Sequence, residues 1–410
     1  MYDVKAIRSQ FPMLSNDIKI QNKPLVYLDN ASTTFKPQCV IDAMDEYYEK
    51  SNANSHRGDY DLAYNMDQSV LKCRQTIARF VNCDAGEVVF TSGTTMAINL
   101  AAFGYCKYIL NAGDEILLQE DGHASNILPW FELAKETGAI IKFIPLNEKG
   151  YICEENVRKT ITNKTKVVAL AAASNVLGYS IDVKAICKLV HQYNAVFVVD
   201  GAQSVPHYKT DFKELDIDFL CFSAHKMCGP TGIGCLIGKY HLLLKTHPTI
   251  LGGGMNEMFY NDGSYTLLNP PTSLEAGTLN LSAIKGFIAA VEFIESIGID
   301  NIHKHDIELH NYAVNKLKDV EKVILYNADA DSGNIVFNIK DVFAQDEATL
   351  LNYHGVAIRS GNHCAKMLVN YIGLPYTCRA STYLYTTYED IDKLVDAIIN
   401  GGDILDVYFN

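Results

Sequence analysis

Phe219-Leu-Cys-Phe-Ser-Ala-His-Lys226 runs on into Gly229-Pro-Thr-Gly-Ile-Gly234. The first stretch is apolar and aromatic and reads as a buried strand, and the glycines after it read as a tight turn. A lysine at the end of a buried strand is poorly solvated. Its pKa falls, which favours the neutral amine that forms Schiff bases. Upstream, Val196-Phe-Val-Val-Asp200 repeats the pattern with an acid at the strand end. Strand-end Asp200 and strand-end Lys226 are the pair that a pyridoxal 5'-phosphate (PLP) site needs. The amine takes the aldehyde, and the carboxylate keeps the pyridine nitrogen protonated so that the ring draws electrons. A solvated lysine and a helix-capping aspartate are the plain alternatives for each residue taken alone.

The surrounding pattern supports the pair. Apolar runs at Glu87–Thr91, Glu115–Gln119, Ile140–Ile144, Lys166–Leu170, Val196–Asp200, Asp218–Ser223 and Gly234–Gly238 alternate with helical stretches such as Ala97–Leu110 and Val183–Gln192. This β-α-β alternation predicts an α/β fold with a mostly parallel sheet covered by helices on both faces. The last two runs are too close for a helical crossover, so one strand is expected to be antiparallel. Beyond a helix over Ala283–Ser296 the strands thin out to Ile335–Ile339, Val356–Arg359 and Arg379–Tyr385, with a final helix over Glu389–Ile399. The expected division is a large PLP-binding domain over residues 21–284. A smaller α+β domain is expected over residues 1–20 and 285–410, with a helix near residues 3–10.

Ligands of open α/β sheets bind beyond the carboxyl ends of the strands. Those ends carry Ser92-Gly93-Thr94-Thr95, which opens a helix as a phosphate cradle, then His123, Asn175, Asp200 with Gln203, and Ser223 with His225. An imidazole at His123 can stack on a cofactor ring and carry protons. In the smaller domain, Ile358-Arg359-Ser-Gly-Asn-His363-Cys364 displays a thiol beside a histidine, and Arg379 suits capture of a carboxylate.

Composition narrows the class. At 410 residues, 48 % hydrophobic and 20 % charged, the chain is globular and large enough for two domains. Its net charge of −13 argues against nucleic-acid binding. No apolar run reaches membrane-spanning length, and Met1-Tyr-Asp-Val-Lys-Ala-Ile-Arg lacks the apolar core of a signal peptide, so a cytoplasmic protein is expected. The eleven cysteines are scattered with no C-x-x-C spacing, and no metal site is expected. The Gly229–Gly234 stretch is not G-x-G-x-x-G, and it precedes a strand where a dinucleotide site would precede a helix.

Taken together, the motifs resemble the cysteine desulfurases of the class V aminotransferases, within PLP fold type I, and look like the SufS-like, group II branch. The resemblance runs from Tyr27-Leu-Asp-Asn-Ala-Ser through Ser55-His56-Arg57-Gly58, Ser174-Asn-Val-Leu-Gly178, Asp200-Gly-Ala-Gln203, Ser223-Ala-His-Lys226 and Glu275-Ala-Gly-Thr278 to Arg359-Ser-Gly-Asn-His-Cys364. It implies that Lys226 bonds the cofactor, Asp200 pairs with the ring nitrogen, Gln203 bonds the ring hydroxyl and His123 stacks on the ring. Thr95, Ser223 and His225 would hold the phosphate, with Thr94 also binding the cofactor. Thr278 would reach the phosphate of a neighbouring subunit, which implies a homodimer with shared sites. Asn175, Arg359 and Arg379 would bind the substrate, and Cys364 would take sulfur from L-cysteine as a persulfide. A SufE- or SufU-like acceptor and iron–sulfur cluster assembly are the implied destination, and selenocysteine lyase is the alternative on the same scaffold. Ala124, Asn362 and Ser92 depart from the residues many relatives carry there.

Overall fold

The computed structural model describes residues 2–55 and 58–402; His56 and Arg57 of the Ser55–Gly58 motif lie outside them. The central sheet has seven strands. Across it run Val88–Thr91, Gly234–Gly238, Phe219–Ser223, Val196–Asp200, Thr165–Ala171, Glu115–Gln119 and Ile140–Ile144. Five of these run parallel to one another, whereas Gly234–Gly238 is antiparallel to the strand on either side. The inner strands are buried along their length, as their unbroken Val, Leu and Phe runs require when both faces are covered. One face packs Phe90, Leu117, Val168, Phe197 and Phe222 against Phe287 and Val291 of the Leu281–Ile297 helix. The other packs Val89, Ile116, Val198 and Leu236 with Trp130.

A second, antiparallel sheet follows the order Val323–Leu325, Asn334–Ile339, Thr377–Ser381, Arg359–Gly361. Its core unites Ile335, Phe337 and Ala380 with Leu309 of the Ile299–Leu317 helix and Leu394 of the Tyr388–Asn400 helix. Val26 and Leu28 are built into this same core.

Three local expectations shift. The strand expected over Val356–Arg359 is split between two partners. Val356–Ala357 pairs in parallel with Val26–Tyr27, while Arg359–Gly361 pairs with Thr377–Ser381. The strand expected over Arg379–Tyr385 stops at Ser381, because Tyr383 and Tyr385 leave the sheet to bury their rings in the larger core. The helix expected over Ala97–Leu110 already starts at Thr94, where the Thr94 N–H donates to Ser223 Oγ of another strand at 2.7 Å. It then widens into a π-helical segment over Leu100–Tyr105. Periodicity carries no trace of a cap supplied from 129 residues away.

Candidate active site

The carboxyl ends of the central strands open onto a cavity of about 200 Å³. Its lining includes Thr94, Thr95, His123, Asn175, Asp200, Gln203, Ser223, His225 and Lys226 from the sheet side, and Arg359, Cys364 and Arg379 from the second sheet. Every expected site residue except Thr278 is therefore in one place. Thr278 is exposed and lines a separate cavity of about 320 Å³ together with Ser92. Among the described residues no cluster of His, Cys, Asp and Glu suits a metal, and no helix is long and apolar enough to cross a membrane.

Asp200 and Lys226 owe their proximity to strand register. Their strands are parallel neighbours, with Asp200 opposite Cys221, and a single short turn carries the chain from Ser223 to Lys226. Burial lowers the Lys226 pKa to about 8, and the positive charges of Arg379 and Arg359 add to the effect while Asp200 opposes it. Burial raises Asp200, against the pull of the Ala202 N–H, which donates to Oδ1 at 3.0 Å, and of the Lys226 charge. A carboxylate held this far from water is complementary to a cationic ring nitrogen.

The strand-end loops supply a donor set. Ser223 Oγ lies 2.7 Å from Thr94 Oγ1, and Thr95 Oγ1 lies 2.8 Å from Ser125 Oγ. Backbones come unusually close here. A Cβ at Gly234 would stand 2.4 Å from the Phe222 carbonyl and 2.7 Å from Gly93 Cα, so only glycine fits behind the cradle. His225 Nδ1 is 3.2 Å from Thr33 Oγ1, and burial lowers its pKa to about 4, with Lys226 and Lys36 contributing. Gln203 is oriented by donating Nε2 to the Ala31 carbonyl at 2.8 Å. His123 Nδ1 accepts the Ser125 N–H at 3.1 Å, which leaves the proton of the neutral ring on Nε2. Burial, with the Lys226 charge next, lowers its pKa to about 4, so the ring is neutral near neutral pH. Hydroxyls and a helix-initiating amide at one end, a buried acid at the other and an amine of lowered pKa between them fit PLP.

Arg379 is 2 % exposed and reaches this cavity from the second sheet. Its Nη1 donates to the Asn175 carbonyl at 2.6 Å, and Nη2 donates to Ser32 Oγ at 2.9 Å and pairs with Asp29 at 3.1 Å. Its Nε is buried without a partner. Arg359 Nη1 shares Ser32 Oγ at 2.7 Å. Cys364 is half-buried, and the neighbouring His363 is buried with Nε2 3.0 Å from Thr377 Oγ1. Burial, then Arg379 and Arg359, lowers the His363 pKa to about 3.

Sequence reading missed Ser32, Ser125 and His363 as cavity residues. Ser32 was visible only as part of Tyr27-Leu-Asp-Asn-Ala-Ser. Its bridging of two arginines depends on Val26–Tyr27 pairing with Val356–Ala357, a contact no local pattern encodes.

Comparison with known proteins places this geometry in a family. The family model described as aminotransferase class-V matches residues 26–394, and the chain belongs to that family. A probable cysteine desulfurase of Halalkalibacterium halodurans is 44% identical over 393 residues, covering 96% of each chain. The crystal structure of the Escherichia coli cysteine desulfurase CsdA superposes with a TM-score of 0.91 at 34% identity, over 99% of both chains. An apo cysteine desulfurase from Thermococcus onnurineus gives a TM-score of 0.90 at 33% identity, over 96% of both.

Proposed function

We propose that the protein is a PLP-dependent cysteine desulfurase, which converts L-cysteine to L-alanine and leaves the sulfur on Cys364 as a persulfide. One observation carries this reading: Lys226, Asp200, His123 and Cys364 line a single cavity although they come from two separate sheets. The identity to relatives named as cysteine desulfurases supports it. When bound, PLP supplies an electron sink for the bonds at the substrate Cα and Cβ.

The chain's own groups do the rest. Asp200 would hold the ring nitrogen's charge, and the Thr94, Thr95, Ser223 and His225 donors would hold the phosphate. Lys226 Nζ, made partly neutral by burial, would hold the cofactor and moves the proton at the substrate Cα. Arg379, with Arg359 and Asn175, orients the substrate carboxylate. Cys364 Sγ attacks the substrate sulfur, so an S–S bond forms as the Cβ–S bond breaks. The electron pair stays with the carbon fragment, which takes a proton and leaves as alanine.

In this reading residues 21–284 form the cofactor domain, and residues 1–20 with 285–410 carry the thiol and Arg379. The enzyme is a homodimer in which Thr278 reaches the partner's phosphate. A cytoplasmic acceptor protein of the SufE or SufU kind takes the sulfur toward iron–sulfur clusters. The test is alanine release by Cys364→Ala from L-cysteine and from L-selenocysteine. Collapse on cysteine alone supports the persulfide route, and unchanged turnover on cysteine overturns it.

A further inference from the structure

We infer that Asn362 is a positioning residue that holds the Cys364 thiol in place through a backbone turn which neither of its central residues favours. The inference rests on reading Cys364 as the nucleophile of the proposed reaction. His363 and Cys364 have φ values of 50° and 60°, both left-handed, and the Ala365 N–H donates back to the Asn362 carbonyl at 2.8 Å. Two consecutive left-handed residues closed by such a bond are the pattern of a type I′ turn, whose central positions normally fall to Gly, Asn or Asp. An imidazole and a thiol in those positions are retained only where the surroundings over-determine the conformation.

The surroundings act from several sides. Asn175 Nδ2 donates to the His363 carbonyl at 2.8 Å, and the Ala124 N–H donates to the Cys364 carbonyl at 2.8 Å. Both come from loops at the end of the central sheet. His363 is anchored further by Nε2, which lies 3.0 Å from Thr377 Oγ1 and 3.1 Å from the Thr377 carbonyl. From inside the turn one side chain bonds the turn's own backbone. The Cys364 N–H donates to Asn362 Oδ1 at 3.0 Å, an Asx turn laid across the two left-handed residues.

The cross-sheet bonds grip carbonyls, so they fix where the turn lies. Asn362 grips the amide of the cysteine itself, and so fixes the rotation that decides where Sγ points. Without that acceptor the Cys364 N–H loses its partner, the left-handed φ is held less firmly, and the sulfur spends less of its time on its line of attack. Asn362 itself does not line the cavity, and the Asn175 bond to the His363 carbonyl is made without it. The effect therefore falls chiefly on the sulfur-transfer step.

Three variants of the PLP-loaded enzyme test this: Asn362→Ala, Asn362→Ser, whose neutral hydroxyl closes the same turn more weakly, and Cys364→Ala. Alanine release from L-cysteine, cofactor content by absorbance, and Cys364 alkylation by iodoacetamide followed on its peptide are the readouts. Asn362→Ala is expected to lose ~10–100-fold in kcat, the scale of a misplaced reacting group, with KM within about two-fold and cofactor content unchanged. Its Cys364 alkylation rate should change, and Asn362→Ser should recover part of the turnover. Native turnover in Asn362→Ala while Cys364→Ala is inactive would overturn the inference and leave the function standing. So would loss of cofactor together with turnover, or a serine variant no better than alanine. Full turnover in Cys364→Ala would instead remove the reading on which the inference rests.

Discussion

The two halves of the cavity are built by opposite means. Asp200 and Lys226 follow neighbouring parallel strands that are buried along most of their length and locked residue by residue in register. Cys364 stands on a left-handed turn, whose hold includes a single bond donated to Asn362 Oδ1 and single bonds accepted from Ala124 and Asn175. Groups that must hold a charge or an amine at a set place gain from the stiffness of a sheet. A group that must meet substrate sulfur and then hand it on gains from a backbone whose hold can be tuned by one bond. The same cavity thus joins a rigid electrostatic floor to a thiol on a more conditional support.

That contrast can be broken in several ways. The largest effect is expected on the floor, where Lys226→Ala should lower alanine release by ~10⁴-fold, the upper range for losing a positioned proton carrier. A loss below ten-fold would mean that the lysine is not the working amine. Asp200→Asn keeps shape but removes the charge beside the ring nitrogen, and a drop in kcat of ~10²-fold is expected, with a changed cofactor absorbance as the independent sign.

On the other side, Arg379→Lys replaces a fork by a point charge and should raise KM for L-cysteine ~10–100-fold, with kcat less affected. Equal loss in both would move Arg379 from binding to chemistry. A pH series sharpens the floor further. With the Lys226 pKa lowered to about 8, its neutral fraction grows as pH rises through that value. Capture of PLP by cofactor-free protein, followed by stopped-flow absorbance, should therefore accelerate from about pH 7 to about pH 9 and then level off. A rate still climbing about ten-fold per pH unit above that range would mean an ordinary lysine. The smallest change is a control outside both halves. Arg8 Nη1 ties the first helix to Asp390 at 2.7 Å and to the Tyr385 carbonyl at 3.0 Å. Arg8→Ala should cost about 1 kcal/mol and about 2 °C in thermal melting, with turnover unchanged.

The floor was the more legible half, for a physical reason. Unbroken apolar runs reveal strands buried on both faces, and the first polar residue after each run marks the edge where ligands gather. Asp200, Lys226, His123 and Asn175 could be found that way. The thiol side gave weaker signals. His363 looked like a companion of Cys364, yet both its left-handed backbone and its tie to Thr377 arise from contacts with other segments. Ser125 carried no signal beyond being a hydroxyl and Ser32 none beyond its place in a motif, since each acts through a partner distant in sequence, Thr95 for the first and Arg379 for the second.

By itself the sequence determined the alternation of strands and helices, the presence of one antiparallel strand and the polar residues at the strand ends. These follow from periodicity, spacing and the solvation of side chains, all of which are local. Tertiary structure alone decided that Val356–Arg359 would split between two partners, that Ser223 would cap the helix at Thr94, and that Cys364 would face the cavity on a left-handed turn. Each of those depends on a hydrogen bond or a register between segments far apart in the chain, which no window of local pattern contains.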